Sequence, residues 1–307
     1  MSDVAAGADA LRVGVIGLGN IAQKAYLPVL GAMADLEPVL MTRDRQKLDR
    51  IGDAYRVKDR FTDLDALVAS GIRAAFVHAP TEQHAAIVTR LLEAGVDVFV
   101  DKPLSYSLAE SRRLVGLARD RNLSLMVGFN RRFAPAYSAA LDRPRDLVVL
   151  QKDRRGRTGD VRTVVLDDFI HLVDTLRMLA PAEATRIDVR GTVDEAGNLL
   201  HVVLQLSGGS FTGLAVMNRD SGSASEVLQT AGHGMRRDVV NMTDVTDHDG
   251  PVALTRGSDW EPVGRRRGIE GACRHFLDAL RAGVRIDAGD ALVTHELCEQ
   301  VITGLAA

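Results

Sequence analysis

Cysteine is scarce: Cys273 and Cys298 are the only two in 307 residues, too few and too far apart for a zinc site or a disulfide framework. Isolated thiols of this kind suit a reducing compartment, where they pack as small hydrophobes, so a cytoplasmic location is expected. No apolar run approaches the roughly 18 residues that span a bilayer. Met1–Ala10 carries two acids and no base, which argues against a secretory or transit leader and reads as a mobile Ala/Gly/Asp lead-in. A net charge of −3 leaves no global basic field for nucleic acid, and Arg265-Arg266-Arg267 lacks the interleaved aromatics of a single-strand reader. No metal site is expected. Lysine is scarce too: five of the 38 basic residues, at 24, 47, 58, 102 and 152, so each one invites a reason.

What is present is a strand–helix alternation. Leu11–Ile16, Pro38–Met41, Ala74–His78, Val96–Val100 and Leu123–Val127 read as strands. Ile21–Met33, Leu64–Ser70, Gln83–Ala94 and Leu108–Arg121 read as helices between them. This spacing implies right-handed crossovers and an α/β Rossmann sheet, doubly wound and parallel, over residues 1–130. Beyond that point the pattern changes. A strand at Leu147–Gln151, a basic loop (Lys152–Arg162) and a helix across Asp167–Leu179 precede a hairpin-punctuated series of strands from about 185 to 255. Two helices, Ile269–Ala282 and Ala291–Thr303, finish the chain. Residues 131–307 therefore read as a C-terminal α+β domain, built on a mostly antiparallel open sheet with helices on one face.

Gly17-Leu18-Gly19-Asn20-Ile21-Ala22 follows the first strand and opens a helix, as a dinucleotide-binding loop requires. Gly17 makes the turn, Gly19 admits a pyrophosphate, and the helix N-terminus at Asn20 and Ile21 supplies donors. The second strand ends not in the acid that reads an NAD ribose but in Thr42, followed by Arg43 and Arg45. A hydroxyl and a guanidinium suit a 2′-phosphate, which favours NADP, with NAD possible if Asp44 supplies the acid in a shifted register.

Three further segments complete the pattern: Ala79-Pro80-Thr81-Glu82-Gln83-His84, Asp101-Lys102-Pro103, and Gly128-Phe129-Asn130-Arg131-Arg132-Phe133. With the glycine loop and Asp167-Asp168-Phe169-Ile170-His171, they resemble the Gfo/Idh/MocA family of sugar and polyol oxidoreductases over nearly the whole chain, closest to its MviM-like branch. The resemblance implies that Lys102 is the active-site lysine and that Asp167 and His171 match an acid and histidine on one helix face. It implies a cofactor lined also by Pro80, Thr81, His84 and Asp101, and an oligomer formed through the second-domain sheet. Two departures stand out: Asp101 replaces the usual glutamate, and Phe169 replaces a glycine.

The expected reaction is hydride transfer between nicotinamide and a secondary alcohol or ketone of a small sugar, polyol or nucleotide-linked sugar. It needs a group to exchange the hydroxyl proton and a positive group at the oxygen. His171 is assigned the proton, Lys102 the oxygen and Asp167 the substrate hydroxyls, with Lys102 and His171 interchangeable; Arg131 and Lys152 are further substrate candidates. Asp168 and Asp174 are weaker ones; His78, at a strand end, reads as a packed residue, His201 alternates in a strand, and His233, His248, His275 and His295 show no partner spacing. Two rival readings are a catalytically silent NADP-sensing regulator and a glycoside-cleaving relative that uses bound NAD transiently.

Overall fold

The computed structural model describes residues 10–156 and 158–306, so nearly all of the 1–10 lead-in, and Arg157 of the basic loop, lie outside it. Six short strands form the first sheet: β1 (Leu11–Ile16), β2 (Leu36–Met41), β3 (Arg60–Phe61), β4 (Ala74–Val77), β5 (Asp97–Val100) and β6 (Leu125–Val127). Their order is β3-β2-β1-β4-β5-β6, with every neighbouring pair parallel. Strands β4, β5 and β6 are buried at every position, as expected where helices cover both faces. The order reverses between β1 and β4, which opens a crevice at their carboxyl ends.

A π-helical turn (Ala22–Tyr26) runs into α1 (Leu27–Leu30); α2 (Arg45–Tyr55), α3 (Leu64–Ala69), α4 (Thr81–Glu93) and α5 (Leu108–Asp120) follow. Side chains start these helices where the sequence offers caps. Asp44 accepts from Lys47 N (2.9 Å), Asp63 from Ala66 N (2.8 Å) and Ser107 from Glu110 N (3.4 Å). Helix α2 lies where the apolar pattern was too sparse to suggest one, since it buries only Leu48, Ile51 and Gly52.

After α6 (Pro135–Ser138), β7 (Leu147–Asp153) enters a second sheet with β8 (Arg186–Val193), β9 (Leu199–Gly208), β10 (Phe211–Asn218), β11 (Glu226–Gly232), β12 (Met235–Val240), β13 (Asp244–His248) and β14 (Val252–Thr255). Its order is β14-β13-β12-β11-β7-β10-β9-β8, antiparallel except that β7 and β10 run parallel. Strands β9, β10 and β11 alternate buried with half-buried residues, the pattern of a sheet covered on one face. The covering helix is longer than expected. α7 (Val161–Val164), a π-helical turn (Val165–Phe169) and α8 (Ile170–Leu179) run on without a break.

Near the end of the chain come α9 (Val263–Arg266), α10 (Ile269–Arg281) and α11 (Gly289–Ala306). Although α10 belongs to the later half of the sequence, it packs beneath the first sheet. Phe276 is fully buried there, edge-on to Phe76 (5.5 Å between ring centroids) and to Phe99 (5.8 Å). Helix α11 lies against α5 and α8 and so joins the two sheets' helical layers. No helix among the described residues is long and apolar enough to cross a membrane.

Because Phe276 fills the junction between the two halves of the sequence, Phe276→Ala should lower unfolding stability by ~3–5 kcal/mol. Denaturant unfolding followed by circular dichroism checks this. A loss below about 1 kcal/mol, the scale of a tolerant surface site, would show that α10 is not needed to hold the first sheet.

Candidate active site

The glycine loop is shaped for close approach. Gly17 has φ +85°, and a side chain there would put its Cβ 2.5 Å from Ala79 N, so only glycine lets the β1 turn sit against the end of β4. A Cβ on Gly19 would meet nothing within 4 Å, which leaves the cradle open on the side a pyrophosphate would approach. The residues present therefore fit a dinucleotide. Beside the loop, a cavity of about 310 Å³ is lined by Gly17, Thr42, Arg43, Pro80, Gln83 and their neighbours. Asp44 lies outside this lining and caps α2 through its Oδ1. Arg45 pairs with Asp49 (3.0 Å), whereas Arg43 is exposed and has no polar partner among the described residues.

A second cleft of about 480 Å³ opens between the two sheets. It gathers most of the expected site: Ile21, Pro80, Thr81, His84, Asp101, Lys102, Arg131, Lys152, Asp167 and His171. Gly19 and Asn20 line neither cavity. Lys102 Nζ crosses the cleft and donates to the main-chain carbonyl of Asp167 (2.6 Å). Burial lowers its pKa, against the pull of Asp167 and Asp101. The Asp167 carboxylate accepts from Tyr106 Oη at both oxygens (2.9 and 2.8 Å). The Nδ1 of His171 is shielded from water and has no hydrogen-bond partner. Burial, then Arg131, Lys102, Lys152 and Arg154, hold the ring well below the usual histidine range, so it is neutral at pH 7.

Other expected residues are committed elsewhere. Arg131 is buried and grips Glu226 with two bonds (2.7 and 2.6 Å), so its guanidinium supports the cleft floor rather than standing free for substrate. Lys152 is 3% exposed and lies 2.5 Å from Asp168; burial, then repulsion from Arg131, brings its pKa down to about 8. His84 lies between the carbonyls of Pro103 (Nδ1, 2.8 Å) and Ala79 (Nε2, 2.9 Å), so both ring nitrogens are occupied by backbone. Asp174 pairs with Arg132 (2.6 Å) and accepts from Thr294 (3.0 Å), away from the cleft.

The two departures find partners. Asp101 accepts from Tyr26 Oη (2.7 Å) and lies 3.0 Å from His78 Nδ1, while the Tyr26 and His78 rings stack at 3.9 Å. A shorter acid is thus held by a tyrosine and a histidine from neighbouring elements. Phe169 is fully buried and does not line the cleft, so it does not crowd the pocket.

Several contributors escaped the sequence reading. His295, on α11, accepts from Leu104 N (2.9 Å) at Nε2 and meets Ala291 O (2.8 Å) at Nδ1, which ties α11 to the loop carrying Lys102. Burial takes its pKa down to about 4, as a neutral, permanently bonded ring requires. Tyr106, Arg154, Arg219, Glu226 and Arg267 were also missed. Tyr106, Arg219 and Glu226 had no local signal, because their partners Asp167, Asp168 and Arg131 lie 61, 51 and 95 residues away.

The profile of the oxidoreductase family with an NAD-binding Rossmann fold matches residues 11–129, and that of the YceM-like C-terminal domain matches residues 135–249. The chain is 37% identical to YceM of Salmonella typhimurium over 277 residues, 88% of this chain and 90% of that protein. The chain belongs to the Gfo/Idh/MocA oxidoreductase family. The crystal structure of the dehydrogenase MviM from Clostridium difficile superposes with a TM-score of 0.91 at 30% identity, covering 95% of this chain and 99% of that one. Scyllo-inositol 2-dehydrogenase (NAD(+)) of Bacillus subtilis is 26% identical over 305 residues, 89% of this chain and 87% of that enzyme.

The free Arg43 yields a direct expectation. Arg43→Ala should weaken NADPH binding by at least ~10-fold, the scale of one charge-assisted contact, while changing NADH binding by less than about twofold. Fluorescence titration with both cofactors checks it; equal losses would remove Arg43 from the phosphate site.

Proposed function

We propose that this protein is an NADP-preferring dehydrogenase or reductase acting on a secondary alcohol or ketone of a small sugar, polyol or nucleotide-linked sugar. The observation that carries the reading is the convergence of Lys102, Asp167 and His171 in one cleft beside the glycine loop. Residues to about 130 would hold the cofactor and the remainder would supply the substrate wall. Preference for NADP rests on the unpaired Arg43, the Thr42 hydroxyl and the commitment of Asp44 to its helix cap.

When bound, nicotinamide gives or takes the hydride. The protein's task is the oxygen and its proton. Lys102, carried at the carboxyl edge of the first sheet, is placed to bind the reacting oxygen and stabilise alkoxide-like charge. His171 is neutral and lines the cleft, so its imidazole can accept the hydroxyl proton in the oxidative direction and return it in the reductive one. Asp167, fixed by Tyr106, is an acceptor for substrate hydroxyls.

Two wider properties accompany the reading. The face of the second sheet away from α8 carries half-buried Val149, Val203, Leu214, Val216 and Val227, which supports a homo-oligomer formed through it. The two cysteines are free and buried, which supports a cytoplasmic setting.

Lys102→Ala should abolish turnover while leaving cofactor affinity nearly intact. The measurement is NADPH titration alongside nicotinamide absorbance with a panel of sugars and polyols; an unchanged kcat would overturn the role of Lys102. Substrate-independent NADPH binding with no hydride transfer in the native protein would favour a cofactor sensor instead.

A further inference from the structure

The second wall of the cleft carries more positive charge than its own carboxylates neutralise. Asp168 is surrounded by three cations: Lys152 Nζ (2.5 Å), Arg154, whose Nε and Nη2 both lie at 2.9 Å, and Arg219 Nη1 (2.6 Å). Glu226 is shared by Arg131 and, at 3.6 Å, by Lys152. Lys152, Arg131 and Arg154 thus share these two carboxylates, and Lys152 and Arg131 are each no more than 7% exposed. Asp101 and Asp167 also face the cleft, where their carboxylates accept from Tyr26 and from Tyr106, with His78 beside Asp101 and Lys102 on the Asp167 carbonyl. Uncompensated charge in a shielded place is costly unless something of opposite sign enters.

A fifth cation faces the same space. Arg267 lines the cleft, and its guanidinium has no hydrogen bond or ion pair among the described residues. Its placement is built rather than incidental. Asn130 Nδ2 donates to the Arg267 carbonyl (2.7 Å), and the next residue, Gly268, has φ +76° and backs so closely onto the Asn130 carbonyl that a side chain would collide. Burial and then repulsion from Arg131 lower the Arg267 pKa, against the pull of Glu226, with Arg266 and Arg154 adding to the repulsion. Arg267 is exposed on the cleft side and sits in a net repulsive field, with no carboxylate within ion-pair distance among the described residues.

We propose that the substrate of this cleft is an anionic sugar, one bearing a carboxylate or a phosphate monoester, and that Arg267 together with Arg154 binds its anionic group opposite Lys102. The inference rests on the sugar-dehydrogenase reading above and sharpens it to a charge class. A guanidinium with a free donor fork is suited to either oxyanion. Bound there, the anion offsets the positive excess around Lys152 and raises the proton affinity of His171, which those same cations suppress.

The test is calorimetric titration of the NADPH-loaded protein with a neutral hexose, the corresponding hexuronate and the hexose 6-phosphate at fixed ionic strength, with nicotinamide absorbance followed in parallel. At least one anionic sugar should bind ~10-fold or more tightly than the neutral hexose, the scale of one added charge-assisted hydrogen bond. The carboxylate and phosphate arms show which anion the site takes. Arg267→Gln should erase most of that advantage and Arg267→Lys should keep part of it, while both retain NADPH affinity within about twofold, which separates the substrate anion from the cofactor phosphates. The inference is overturned if neither anionic sugar outbinds the neutral one, or if Arg267→Gln keeps the preference. Hydride transfer to neutral sugars without any charge preference would sink this inference alone. Preferential binding of an anionic sugar without hydride transfer would sink the dehydrogenase reading alone.

Discussion

One bond holds the two halves of the site in register: the ammonium of Lys102 on the main-chain carbonyl of Asp167. The lysine belongs to the loop after β5 and the carbonyl to the π-helical turn ahead of α8, 65 residues apart in sequence. A backbone acceptor fixes Lys102 without neutralising it, so the charge remains available to a substrate oxygen. The π-helical turn widens the helix at Asp167 and Asp168, and such turns recur where helices carry functional groups. Asp167 then offers its carbonyl to Lys102 and its carboxylate to Tyr106.

The loop that carries Lys102 is restrained from several directions, and each restraint is a buried polar group with its partner supplied. His84 meets the Pro103 carbonyl, His295 accepts from Leu104 N, and Asp101 is held by Tyr26 and His78. A catalytic group must be positioned by side chains whose own rotamers are fixed, and these bonds come from α4, from α11 and from the turn before α1. That α11 should reach the loop explains why its packing against α5 and α8 matters for the chemistry as well as for stability.

Contiguous motifs were legible in the sequence, and pairings across the chain were not. The glycine loop, the Asp101-Lys102-Pro103 turn and the Thr42-Arg43 strand end announce themselves because their chemistry is local: a turn, a strand terminus, a helix start. His295 gave no sign, since its partner Leu104 is 191 residues away, and neither did Glu226, 95 residues from Arg131. Arg131 looked like a substrate contact because charge near a motif is visible, whereas the carboxylate that occupies it is not. Helix α2 and the strands β12 to β14 were hard to resolve for a different reason: they bury few side chains, so hydrophobic periodicity is faint. The parallel pairing of β7 with β10 also exceeded local reading, because it depends on a crossover of some sixty residues containing α8 and two other strands.

Composition hid the site's electrostatics most completely. A chain with net charge −3 contains a cleft in which Lys152, Arg131 and Arg154 share two carboxylates. The scarcity of lysine pointed at two of the right residues, Lys102 and Lys152, but for unlike reasons. Lys102 has a carbonyl partner and lies in the cleft; Lys152 is buried between two carboxylates and helps to set the potential of the floor. Charge of this kind acts beyond its own ion pairs where the groups that carry it are buried, as Lys152 and Arg131 are. With burial, it holds the His171 ring below the usual histidine range, and it outweighs the pull of Glu226 on Arg267. An anion on the substrate would then complete a balance that the protein alone leaves open, and binding and proton transfer would be coupled through the same few charges.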